Sequence, residues 1–272
     1  MLKEQHSKHN KHFNIIYPAS TVQKLYSIFV TPVIVLAVIW VLIKTFSLFP
    51  GIPKVVDYEI VAKAFGYTFW RLLVAYVLAL IASVPLALWA NKSDTAERIL
   101  LPTFDIIQSI PVLAFFPIVI AVFIQFGMYN GAAIFILFLA MLWNMVFSLI
   151  GGLRSIPADI KSAARVFGIT KLSYLKKILL PASVPYLVTG SLLAWAQGWN
   201  IIIVAEVLHT YIPGGTASQD LFGIGSMLVN AAAGSQQELF VAAIVAMVIG
   251  IGLINFFVWQ KLLHYAERFK FE

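Results

Sequence analysis

Composition, the length of the apolar runs and the placement of the cations together predict an all-α polytopic membrane protein. It has six transmembrane helices and a cytoplasmic helix held between two of them. Of the 272 residues, 61% are hydrophobic and 11% charged, whereas a soluble domain carries about 25% charged residues. Mean hydropathy is +0.90. Such a chain is neither an ordinary soluble enzyme nor a disordered segment. Cysteine is absent, which excludes disulfides, thiolate metal sites and cysteine nucleophiles. The five histidines match no zinc spacing, and no metal site is assigned. The net charge of +7 marks cytoplasmic loops rather than a nucleic-acid footprint, because no basic patch is interleaved with exposed aromatics.

A transmembrane helix needs roughly 20 apolar residues. Runs that meet this fall at 27–47, 67–90, 106–126, 132–150, 185–208 and 239–262. Lysine and arginine then orient them. Lys3, Lys8, Lys11 and Lys24 precede the first span. Lys92 and Arg98 separate the second from the third. Arg154, Lys161, Arg165, Lys171, Lys176 and Lys177 separate the fourth from the fifth, and Arg268 and Lys270 follow the sixth. With six spans, all four groups lie on one side. The segment 209–238 on the other side has neither lysine nor arginine, and Lys54 and Lys63 there stand beside Asp57 and Glu59. Both termini are therefore expected in the cytoplasm, with residues 1–25 and 266–272 as tails and 26–265 as the membrane domain. The first apolar run is long enough to span and has no clear small-residue cleavage site, so it reads as an anchor rather than a cleaved signal. Lys44, near the end of that span, is expected to snorkel.

Residues 151–184 are too long for a structureless loop and carry helix signals. Ser155 can cap, Pro157 suits a first turn, and Asp159 sits where the helix dipole favours a carboxylate. Ala163 and Ala164 are strong helix formers and Gly168 is the natural stop. A second short helix is expected over 171–179, with Leu172, Leu175, Ile178 and Leu179 on one face and Pro181 ending it. Two readings fit the first helix: docking of its small-residue face in a partner's groove, or an interfacial helix lying on headgroups.

The spacing also resembles the EAA loop of ABC-transporter permeases. That pattern is Glu-Ala-Ala, three residues, Gly, nine residues, Ile, one residue, Leu-Pro. Here it reads Ser162-Ala163-Ala164, Gly168, Ile178, Leu180 and Pro181, with Ser162 where the family usually has glutamate. The resemblance extends from Thr68 and Arg71 to the end of the sixth span. The stretch Gln108 to Pro117 and the run ending Val204-Ala205-Glu206 are similar to the nitrate, sulfonate, taurine and bicarbonate subgroup. The resemblance implies a permease of the type I importer kind, working by alternating access. It implies a separate ATP-binding cassette ATPase subunit, a second permease subunit that would make a homodimer, and an extracytoplasmic solute-binding protein. The place would be a bacterial or archaeal inner membrane. Ser162, Ala163, Ala164, Arg165, Gly168 and Pro181 would couple to the ATPase. No Gly-x4-Gly-Lys-Ser/Thr run is present, so ATP and Mg would be bound by that partner and no cofactor by this chain.

Polar groups in a bilayer are costly and tend to face the bundle interior. Asn144, Gln197, Trp199, Asn200, Glu206 and Arg71 are the candidates for lining the pathway. Interhelical hydrogen bonding explains Asn and Gln equally well, and Glu206 can instead pair with Arg71. Pro111 and Pro117 mark either a kink in the third span or a broken entry helix. An ion-gradient transporter is disfavoured by the absence of repeats and of midplane charges. A membrane-embedded enzyme would need a His, Asp or Glu cluster at depth. A non-transporting scaffold keeps the same sequence features. The expected solute is small and anionic or zwitterionic, of sulfonate, nitrate or bicarbonate type.

Overall fold

The computed structural model describes residues 56–169 and 171–269, with the isolated positions 33 and 40. The predicted first span, Lys44 and the N-terminal tail lie outside the described residues, as do the last three positions. Among the described residues there is no strand.

Helix α1 (Tyr58–Ala90) starts nine residues before the predicted second span. Asp57 caps it, its carboxylate accepting from the N–H groups of Glu59 and Ile60 at 2.9 and 3.3 Å, and Glu59 pairs with Lys63 one turn on. Charged residues can extend a span beyond its apolar run where a cap closes the exposed turn. The buried face of α1 carries Ala64, Thr68, Ala75, Ala79, Ser83 and Ala87. This spacing of three and four keeps small residues on one stripe, so neighbouring helices approach closely.

The predicted third span is not one straight helix. Helix α2 (Asp94–Ser109), capped by Ser93, ends at Ile110. A single 3₁₀ turn (Val112–Phe115) leads into α3 (Phe116–Gln125). The two halves are bent by 74°. The physical cause is Pro111. It forces Ile110 into extended backbone, φ −76° and ψ 123°, and supplies no N–H to continue the ladder.

Helix α4 (Tyr129–Arg154) is the centre of the bundle and packs on both α1 and α7. Ile136, Leu137, Met141, Met145 and Val146 along it are fully buried. Ser155 does not cap the next helix as expected. It closes α4 instead, its hydroxyl donating to Gly152 O at 2.9 Å. Helix α5 (Ala158–Val166) follows Pro157. Helix α6 (Lys171–Tyr174) then runs through a π turn (Leu175–Leu179) straight into α7 (Leu180–Glu206). Pro181 therefore does not end a helix. It sits in the first turn of α7, where the π turn has already displaced the preceding bonds from the regular pattern and a missing N–H costs little.

Two short 3₁₀ turns (His209–Tyr211 and Ala217–Gln219) lead to α8 (Ile224–Ala233). Helix α9 (Gln237–Ile254) continues through a second π turn (Asn255–Trp259) into α10 (Gln260–Ala266). Four continuous helical runs among the described residues are long and apolar enough to cross a membrane, or five if the bent pair counts as one. A sixth would have to come from the run at 27–47. The main core lies between α1, α4 and α7, and a smaller one joins Val61 and Ala64 of α1 to α8 and α9.

Candidate functional site

Three places gather the residues singled out above, and they lie at different levels of the bundle. At one end, α5 is closed by Gly168, whose φ of +61° is the left-handed conformation an L side chain rarely adopts. The N–H of Ile169 donates to Ala164 O at 3.0 Å and that of Phe167 to Ala163 O at 2.9 Å. The first of these is the six-to-one bond of a Schellman stop. The small residues of the motif do not act alike. Ala164 is 4% exposed and packs inward, whereas Ser162, Ala163 and Gly168 face outward. The side chain of Arg165 lies outside the described set. The largest outward groups are ones the motif did not flag: Val166 is 84% and Phe167 80% exposed. Together with Asp159 and Ala163 they form one face at helical spacing. Just before α5, Arg154 forms an ion pair with Glu97 of α2.

At the opposite end, Glu206 and Arg71 meet at 2.7 Å and are both buried. Glu206 Oε1 also accepts from Thr68 Oγ1 at 2.7 Å, and Oε2 from the Gly225 N–H at 2.7 Å. Thr68 Oγ1 in turn accepts from the Ile224 N–H at 2.9 Å. Arg71 donates to Asn130 Oδ1 at 2.8 Å and to Phe222 O at 3.0 Å. A Cβ on Gly225 would stand 2.8 Å from Ile202 O and 2.9 Å from Glu206 Oε2, so only glycine lets the backbone reach the carboxylate. The network ties α1, α4, α7 and α8 together, with both Glu206 oxygens and the Nε and Nη1 of Arg71 partnered, the kind of pairing that lets a buried ion pair persist. A second latch lies beside it. The His209 ring contacts both Asp220 oxygens at 2.8 and 2.9 Å, and Asn230 Nδ2 donates to Asp220 at 3.3 Å. Arg71 and Glu206 thus join the segment that follows α7 to the bundle.

Between the two ends lies a cavity of about 310 Å³ beside the break in the third span, lined by Gln108, Pro111, Trp143, Asn144 and Gln197 among others. Asn144 Nδ2 reaches only Ala140 O, at 3.5 Å, the limit of a hydrogen bond. Asn200 is exposed one turn beyond Gln197 on α7. Trp199 is elsewhere: it is 6% exposed and stacks on Phe65 at 5.9 Å. The α7 helix turns it into the core, because adjacent helical positions point about 100° apart. The cavity therefore brings Asn144 and Gln197 together and adds Gln108, which the reading of single spans could not pair with them.

Comparison with known proteins places this architecture. The family model described as "Binding-protein-dependent transport system inner membrane component" matches residues 79–264. The nitrate import permease protein NrtB of Leptolyngbya laminosa is 34% identical over 186 residues, 68% of this chain and 62% of that one. The bicarbonate transport system permease protein CmpB of Synechococcus elongatus is 30% identical over 185 residues, 68% of this chain and 61% of its own length. The taurine transport system permease protein TauC of Escherichia coli is 25% identical over 138 residues, 51% of this chain and 49% of that one. The matched part of the chain spans about three fifths of the length of the first two relatives. Among solved structures, a chain of the MetNI methionine ABC transporter in inward-facing conformations superposes with a TM-score of 0.63 at 17% identity. It covers 76% of this chain and 96% of that one, a likeness that shows the fold.

Proposed function

The chain belongs to the family of inner membrane components of binding-protein-dependent transport systems, and from that membership we propose that it is the permease subunit of an ATP-driven importer. Its spans form the solute pathway, and a separate ATP-binding cassette ATPase drives them between two arrangements. The ATPase docks on α5. The observation that carries this is the pair Val166 and Phe167, 84% and 80% exposed at the end of a helix outside the spans. Two large apolar side chains held in water are costly, and such anchors usually fill a partner's pocket. Only residues 155–157 separate α4 from α5. Motion of the docked helix is thereby carried into α4 and α7, as a two-state element requires. Binding and hydrolysis of ATP, with its Mg, belong to the partner. The ATPase side is the cytoplasm, where both termini lie, and the opposite face receives an extracytoplasmic binding protein.

Six spans make half a pathway, so a second permease subunit, in the simplest case another copy of this chain, completes it. The solute is small and anionic or zwitterionic, of the nitrate, bicarbonate or sulfonate type that the relatives' names describe. The test is co-purification with a candidate ATPase subunit. The native chain should retain the ATPase. Phe167→Asp should weaken retention by tenfold or more, roughly the loss of one interface anchor of at least 1.4 kcal/mol. Gly168→Val should act likewise by straining the turn. Absence of ATPase on the native chain, correctly inserted, would contradict the reading.

A further inference from the structure

We infer that the cavity at the break in the third span is a charge-free hydrogen-bonding station for a small oxyanion in transit. The inference rests on the permease reading above and deepens it. It begins from the break itself. Non-helical backbone at membrane depth is tolerated where it is buried in protein or lines a water-filled space. Here Ile110, Pro111 and Val112 line the cavity together with three side-chain amides, Gln108, Asn144 and Gln197, drawn from α2, α4 and α7. The α7 face that continues from it is unburied. Leu193 is 51% exposed, and Ala196 and Asn200 are exposed at spacings of three and four. Amides turned toward hydrocarbon would be expensive. A hydrated space that meets the same face of a second subunit satisfies them instead.

The chemistry of the lining selects the ligand class. Gln108 Nε2 donates to Asp105 Oδ1 at 2.9 Å and Asn144 Nδ2 to Ala140 O at 3.5 Å, which leaves each amide a second N–H; with the Gln197 amide and the Trp143 indole N–H, oxygens that accept hydrogen bonds suit the site. No Lys, Arg, His, Asp or Glu lines the cavity. The buried cation of the described bundle, Arg71, is held by Glu206, Asn130 and Phe222 and lies outside it. Neutral donors hold an anion less tightly than a guanidinium does, because the ion-pair attraction is missing. A station on a conduction route must bind strongly enough to admit the solute and weakly enough to release it. A cavity of about 310 Å³ is at the lower end of small-ligand sites, roughly 300–1,000 Å³, which suits a solute of few heavy atoms.

The absence of native cysteine allows a direct test. Leu139→Cys and Ala140→Cys, at lining positions that leave the three amides intact, are made singly in the full chain in lipid nanodiscs. Leu253→Cys is the lipid-facing control and Thr95→Cys the water-exposed one. Anionic sulfonate and cationic trimethylammonium thiosulfonate reagents are compared, with total thiol measured after denaturation. The expected result is labelling at 139 and 140 at least tenfold faster than at 253. The anion-to-cation rate ratio should lie within threefold of that at 95. Millimolar nitrate, bicarbonate or taurine should slow labelling at 139 and 140 at least threefold, with no effect at 95. No labelling above the lipid-facing control would overturn the site. A more than tenfold preference for the anionic reagent would overturn its charge-free character. Labelling that none of the three probes slows would overturn solute binding. Loss of ATPase docking would defeat the permease reading and leave this labelling pattern in place, so the two failures are distinguishable.

Discussion

Glu206 shows how much a single residue decides. Its carboxylate accepts three hydrogen bonds, from Thr68, Arg71 and the Gly225 backbone, and it is fully buried. Removing one member of such a pair strands the other charge in the core, at about 3–5 kcal/mol. Glu206→Met and Arg71→Met are each expected to lower the thermal midpoint of the detergent-solubilised protein sharply. The double variant Arg71→Met/Glu206→Met should cost less than the sum of the two, because no unpaired charge remains. A double variant that costs the full sum would show that the pair is not coupled. This contact was one of two readings open in the sequence, since both residues fall at one end of their spans. Trp199 was less legible. Position along a helix gave its depth, but only packing shows that it stacks on Phe65 while Gln197, two residues earlier, turns into the cavity.

At the scale of elements, apolar run length located the second, fourth, fifth and sixth spans, because hydrocarbon thickness sets the length required. The same measure merged two helices into the third. A proline inside an apolar run is compatible with a kink or a break, and run length is blind to a 74° bend. Pro111→Ala, which restores an N–H and frees Ile110 for helix, is expected to lower transport several-fold while leaving membrane insertion and ATPase binding unchanged. Solute uptake per ATP hydrolysed checks it, and unaltered uptake would show that the break has no part in the pathway. Pro181 taught the converse. In the sequence it reads as a helix end, yet the π turn before it lets the chain continue into α7. No period in the sequence announces a π turn. Gly168 was legible because a left-handed stop after an amphipathic turn has a chemical signature. Val166 and Phe167 were not, since large apolar residues beside a glycine read as core until their exposure is seen.

The described bundle is organised along its axis. A network of buried polar contacts fixes one end, a charge-free cavity lies beside a broken span, and a capped helix with two apolar anchors stands at the other end. The described contacts make α4 the common partner of α1 and α7, and only residues 155–157 separate it from α5. The proposed seat of the ATPase is α5. Site-specific cross-linking tests it most directly, because the chain carries no cysteine of its own. Phe167→Cys, co-expressed with the ATPase subunit carrying single cysteines around its surface grooves, should form a disulfide with one groove and not with the rest of that subunit. The yield should change when ATP is bound. Thr95→Cys, equally exposed on α2, should give far less. Equal yields from 167 and 95, or none from 167 while the two subunits remain associated, would contradict the account.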